Sequence, residues 1–240
     1  MKRIVSIQDI SCFGKCSLTV ALPIISAMGI EACPVPTAVL STHTGGFTGY
    51  TYRDLTNDIP SIADHWKSLD LKFDAVATGY LGSFEQIKIV SDFFDKFKTD
   101  DNLIIVDPVM GDKGHFYAGF TEDFALEMKK LCSKADVIVP NLTEAAQLLD
   151  EDYIDSGYNE EYIKNLLIRL SNLGSKIVVL TGVSFDDNSQ GVMSYNRKQA
   201  NFHRTLTKIF PVTSTVQAIF FQAPCAVHWL KGLIWVRRLG

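Results

Sequence analysis

From Arg3 onward, short β-branched runs alternate with segments of helical apolar spacing, and this alternation limits the possible folds more than any other feature. Strand patterns cover Arg3 to Gln8, Glu31 to Leu40, Phe73 to Thr78, Leu103 to Val106, Ala135 to Val139 and Lys176 to Leu180. Helical patterns lie between them, over Ser17 to Met28, Asp54 to Leu69, Ser83 to Phe97, Thr121 to Cys132, Thr143 to Leu149 and Tyr162 to Leu173. Ser83 and Thr121 read as N-caps, because their hydroxyls can accept from free amides of the first turn. Strands alternating with helices of this length predict crossover units and a mainly parallel sheet. Pro34 and Pro36 place the second run near an edge or split it, since proline donates no ladder bond. Gly191 to Tyr195 and Ala200 to Thr205 read as a strand pair, and Asp150 to Glu161 as a loop or short extra helix.

Composition narrows the class further. A chain of 240 residues with 47% hydrophobic and 21% charged residues is an ordinary globular chain, with one α/β domain as the default. A net charge of -4 argues against a surface that tracks nucleic-acid phosphates. No run of eighteen apolar residues stands out, so no membrane span is expected. The N-terminal stretch is too short and too soon interrupted for a signal peptide. Five cysteines, none in a Cys-x-x-Cys pair, read as reduced and packed thiols of a cytoplasmic protein.

The strand ends carry the chemistry. Leu103 to Val106 stops at Asp107-Pro-Val-Met-Gly-Asp112-Lys-Gly114, with two acids just past the strand. In open α/β sheets ligands bind at that rim, and hard cations such as Mg²⁺ take oxygen ligands and bridge to phosphates. Other ends read Ser41-Thr-His-Thr-Gly-Gly-Phe47, Thr78-Gly-Tyr-Leu-Gly-Ser83, Pro140-Asn-Leu-Thr-Glu144 and Thr181-Gly182. Each alone is equally a surface turn, and Asn141 with Glu144 is equally a helix cap. Five such ends on one sheet favour a binding crevice. Gly14-Lys15-Cys16-Ser17 is not a P-loop: Asp9 stands where the first glycine belongs, and Cys16 where Ser or Thr must follow the lysine.

As an ordered set these motifs resemble the ribokinase-like superfamily, and within it the vitamin B6 kinases. The matching pieces are Gln8-Asp9, Phe13-Gly14, Ser41 to Thr44, Thr78 to Ser83, Asp107 to Gly114 and Pro140 to Glu144. The resemblance implies a single ribokinase-like α/β domain over residues 1–213, with a central, mostly parallel sheet flanked by helices on both faces. It implies ATP and Mg²⁺ as cofactors, a B6 vitamer as substrate, and a homodimer. Thr44 and Tyr80 fall at substrate positions, as does Asp9, where many members have serine against the ring. Asp107, Asp112, Asn141, Glu144 and Thr181 fall at nucleotide positions, with Asp107 and Glu144 serving the metal. The implied reaction transfers the ATP γ-phosphoryl to the 5′-hydroxymethyl group. The rivals are a hydroxymethylpyrimidine kinase of the same superfamily and a non-catalytic B6- or nucleotide-binding remnant.

One piece of the family pattern is missing. The family carries Gly-Thr-Gly-Asp at a helix N-terminus, with the Asp as base, but Val216-Gln-Ala-Ile219 stands there and Ile219 occupies the base position. A nucleotide lost after the Thr213 codon accounts for this. Shifted by one base, Ser214 to Ile219 can restore Phe-His-Gly-Thr-Gly-Asp, and the codons from Phe220 can restore an amphipathic helix. Residues 214–240 are therefore expected to be out of frame, the C-terminal part of the domain incomplete, and kinase activity impaired.

Overall fold

A computed structural model of the chain describes residues 1–45 and 47–208. Gly46, Ile219 at the expected base position and the segment 214–240 expected to be out of frame lie outside the described residues. The described residues group into two compact units, 1–102 and 103–208.

The first unit runs β1 (Arg3–Ser11), α1 (Leu18–Ala27), β2 (Glu31–Leu40), β3 (Tyr52–Asp54), α2 (Asp58–Ser68), β4 (Ala75–Thr78) and α3 (Phe84–Phe97). Its strands lie in the order β4-β1-β2-β3. β1 is parallel to β2 and β4, and β3 is antiparallel to β2. Ile4, Val5 and Ile7 of β1 and Ala75, Val76 and Ala77 of β4 are all buried. Their near-continuous apolar sequence is what a covered parallel sheet requires. α3 starts at Ser83, whose hydroxyl accepts from the Gln86 amide, and buries Ile87, Val90, Phe93, Phe94 and Phe97 at helical spacing. Phe73, Phe93 and Phe97 pack ring to ring, with centroids 5.4 and 4.6 Å apart.

The second unit runs β5 (Leu103–Val106), β6 (Gly111–Asp112), β7 (His115–Phe116), α4 (Glu122–Ser133), β8 (Val137–Ile138), α5 (Leu142–Leu149), α6 (Glu160–Ser171), β9 (Ile177–Asp186), β10 (Ser189–Asn196) and β11 (Asn201–Lys208). The strand order is β11-β10-β9-β8-β5, with β6 and β7 forming a separate hairpin. β5, β8 and β9 are parallel, and β9, β10 and β11 antiparallel. The expected α/β class with mostly parallel strands is found.

Several local expectations are corrected. Of the two alternatives for β2, the first holds: it is unbroken and lies next to the edge strand β3. β3 pairs only with Ala38, Val39 and Leu40, so the absent N–H groups of Pro34 and Pro36 cost no bond to it. α2 begins at Asp58 rather than Asp54, because the Asp54 carboxylate accepts from the Thr56 amide and hydroxyl and holds a turn. Thr121 occupies the N-cap position of α4 but its hydroxyl caps nothing. Strand β9 does not end at Thr181-Gly182 but continues to Asp186. Gly182, at φ 76°, is the extra residue of a bulge, since Thr181 and Val183 face consecutive residues Val192 and Gly191. Residues 151–159 form a connection without helix or strand, and α6 opens at Asn159, which caps it.

Candidate functional site

In the first unit the rim of β1 and β4 gathers Asp9, Ser11, Cys16, Tyr52 and Tyr80. Asp9 is only 4% exposed, and its carboxylate accepts the Ser11 hydroxyl at 2.9 Å. Burial pushes the Tyr80 phenol up to about 12, with added repulsion from Tyr52 and Asp9. Burial also raises Tyr52, helped by the charges of Asp54 and Asp9. The two tyrosines meet over Gly82, where an added Cβ would stand 3.0 Å from the Tyr52 hydroxyl and 3.4 Å from the Tyr80 ring.

The turn that carries Tyr80 is fixed from below by Gln86 of α3, which is 1% exposed. Its side-chain oxygen accepts from Gly82 N at 2.8 Å. Its amide donates to the Thr37 carbonyl at 3.2 Å and the Thr56 hydroxyl at 2.9 Å. One buried amide thereby joins α3, β2, the Asp54 turn and the tyrosine-bearing loop. Thr44 is not drawn into this cluster: it is exposed and has no hydrogen bond to Asp9 or Tyr80. Its loop is tied instead to the segment after β1, where His43 N donates to the Phe13 carbonyl at 2.8 Å.

In the second unit the structure brings Asp107, Asn141, Glu144 and Thr181 together. β5 delivers Asp107 at its carboxyl end, and β8 leads through Pro140 to Asn141, the N-cap of α5. Asn141 and Glu144 form a reciprocal capping box: Glu144 N donates to Asn141 Oδ1, and Asn141 N to Glu144 Oε2, each at 2.9 Å. The cluster reaches back to the acidic loop as well. Met110 N donates to Glu144 Oε1 at 3.2 Å, and Asn141 Nδ2 to the Gly111 carbonyl at 2.8 Å. Thr181 bridges to Asn141, and its amide donates to the Pro140 carbonyl at 2.9 Å.

Asp112 stands apart from these contacts. It is exposed and faces His115 across the β6–β7 hairpin. Lys113 and Gly114, at φ 51° and 78°, make the turn, the pattern of a type I′ hairpin.

Both buried carboxylates have raised proton affinity. Burial pushes Asp107 up to about 7. Glu144, 3% exposed, is raised well above the usual carboxylate range by burial first and by the Asp107 charge second. The pair fits a magnesium ion. Asp107 has no hydrogen bond among the described residues, leaving its oxygens free. Mg²⁺ is commonly held by one or two carboxylates, with substrate phosphates and water completing the shell. No cluster of three or more metal-ligating side chains occurs among the described residues, and this site does not need one.

Sequence reasoning missed Tyr117 and Gln86. The Tyr117 phenol is raised by burial and then by Glu144, Asp112 and Asp107, which places it beside all three acids. It sits ten residues beyond Asp107 in a loop with no period to mark it. Gln86 resembles any polar residue in a helix's first turn, and only its burial distinguishes it.

The model of the phosphomethylpyrimidine kinase family matches residues 21–216. A pyridoxal kinase of Vibrio campbellii is 36% identical over 158 residues, covering 62% of this chain and 54% of that protein. The chain thus spans about half the length of the curated relatives it matches first. Among solved structures, a Bacteroides thetaiotaomicron protein provisionally named a phosphomethylpyrimidine kinase, in a crystal form with pyridoxal, is 46% identical. Its TM-score is 0.79, over 84% of this chain and 70% of that one. A pyridoxal kinase of Lactobacillus plantarum is 28% identical with a TM-score of 0.79, over 100% of this chain and 90% of that one. Among the described residues no helix is long and apolar enough to cross a membrane.

Proposed function

The chain belongs to the phosphomethylpyrimidine kinase family, and we propose that it is built for phosphorylating the 5′-hydroxymethyl group of pyridoxal, pyridoxine or pyridoxamine with ATP. The observation that carries this reading is the buried pair Asp107 and Glu144 at the N-terminus of α5. A helix start with free amides favours phosphate oxygens. Asp107 and Glu144 would hold Mg²⁺, which neutralises charge on the phosphates as the γ-phosphoryl group leaves. Asn141 and Thr181 serve the nucleotide beside them, and Asp112, exposed on its hairpin, reaches the phosphates through solvent or the ion. Asp9, Thr44 and Tyr80 hold the vitamer. Pyridoxal kinases among the relatives, and the neighbour crystallised with pyridoxal, support the choice of substrate. A homodimer in the cytoplasm, without nucleic-acid or membrane partners, belongs to the same reading.

In the transfer the substrate oxygen bonds to the γ-phosphorus, the bond from that phosphorus to the β,γ-bridging oxygen breaks, and the hydroxyl proton passes to a base. Ile219 cannot take that proton. On this reading the 240-residue chain is a crippled kinase whose tail from residue 214 is out of frame. A positioned base contributes about a hundredfold or more, so the 240-residue chain should turn over at least that much more slowly than one with the reading frame restored after Thr213. Coupled ATP-consumption assays with the three vitamers and with hydroxymethylpyrimidine decide the matter. Equal turnover of the two chains, or coding DNA that no single inserted base restores to Gly-Thr-Gly-Asp, overturns the frameshift. Selective turnover of the pyrimidine by the restored chain overturns the substrate.

A further inference from the structure

Asp9 raises a question that its hydrogen bond does not answer. It lies near the end of β1, 4% exposed, with the Ser11 hydroxyl on Oδ2. Among the described residues no lysine, arginine or histidine pairs with it. Lys15, on the loop that follows β1, is exposed and makes no ion pair. The ionisable groups within reach of its field are Cys16, Tyr52 and Tyr80, each of which is neutral or negative and each pushed up partly by Asp9. Buried carboxylates in folded chains are normally paired, because removing the charge from water is costly. Among the described residues the walls supply no positive charge. A neutral hydroxyl would satisfy the same hydrogen bond without that cost.

We propose that Asp9 is the counter-ion for a cationic nitrogen on the substrate, so that this site selects a protonated amine or ring nitrogen over its neutral counterpart. The inference rests on the proposal that the first unit holds the vitamer, and it deepens that proposal. Two nitrogens have this chemistry: the ring nitrogen, common to all three vitamers, and the 4′-aminomethyl group of pyridoxamine.

The test uses the full 240-residue chain and its D9N and D9S variants, with vitamer binding read by calorimetry and folding by thermal denaturation. D9N keeps an oxygen for Ser11 and removes only the charge. Both variants should melt at or above the parent temperature, since no internal cation loses a partner. A charge-assisted hydrogen bond lost on D9N should weaken binding by about tenfold or more. A loss confined to pyridoxamine assigns the 4′-amine, and an equal loss for all three assigns the ring nitrogen. Unchanged affinities in D9N overturn the proposal, as does a D9N variant that melts several degrees lower while binding normally, which would make Asp9 a structural acceptor. If the parent binds no vitamer, the functional reading fails. The counter-ion is then judged with millimolar 4-(aminomethyl)pyridine against 4-(hydroxymethyl)pyridine. Greater stabilisation by the amine, lost in D9N, assigns the amine; equal stabilisation by both probes, weakened in D9N, assigns the ring nitrogen; stabilisation unchanged in D9N overturns it.

Discussion

Asp107 and Glu144 hold protons in the folded state that they release when unfolded, because burial raises both above the ordinary carboxylate range and the Asp107 charge raises Glu144 further. The contribution of Asp107 to stability is full below about pH 4 and is lost as pH rises through about 7. D107N should therefore gain melting temperature relative to the parent as pH climbs from 4 to 8, in buffer free of divalent ions. Millimolar Mg²⁺ should raise the parent in the upper part of that window and leave D107N unmoved. A flat difference between the two proteins across pH would show that the pair is not strained. E144A removes the acceptor for Met110 N and Asn141 N, at a cost of about 2–4 kcal/mol, measurable by urea denaturation. The acids at 107 and 144 were legible as site candidates from their place after apolar runs. The capping box was legible only as one of two alternatives, because spacing cannot say whether a carboxylate faces an amide or a ligand.

Elements position these residues through a few bonds that sequence periodicity does not encode. α3 holds the Tyr80 turn through Gln86, so Q86L leaves Gly82 N, the Thr37 carbonyl and the Thr56 hydroxyl without their partner. It should cost about 2–4 kcal/mol and weaken vitamer binding, with nucleotide affinity unchanged. Loss of both ligands in parallel would indicate general unfolding instead. The β6–β7 hairpin depends on Gly114, where φ is 78° and an added Cβ would stand 2.7 Å from the Tyr153 ring. G114A should cost about 1–3 kcal/mol and displace Asp112, which nucleotide titration by calorimetry would register. The long elements α3, α4 and α6 were legible because their apolar stripes are long enough to show a period. β3, β6 and β7, of three, two and two residues, carry no period at all. The continuation of β9 past Gly182 was hidden because a glycine after a strand usually signals its end, whereas here it forms a bulge.

At the scale of the molecule, the α/β class follows from the order of patterns along the chain, and the family from motifs placed at successive strand ends. Restoring the reading frame after Thr213 is the whole-chain prediction: turnover should return by about a hundredfold or more. An unchanged rate would mean that the base lies elsewhere.

What the amino-acid sequence by itself determined is the alternation of strands and helices, the strand ends as the place of chemistry, and the acids, Asn141 and Tyr80 as candidates. These depend on local pattern, which covalent order preserves. Only the tertiary structure decided that Asp107 raises Glu144, that Glu144 reaches Met110 across 34 residues, that Gln86 holds a turn through Thr37 across 49 residues, and that Asp9 is buried with no cation beside it among the described residues. Each of these depends on groups distant in the chain being brought within a few ångströms and shielded from water, and folding supplies both conditions.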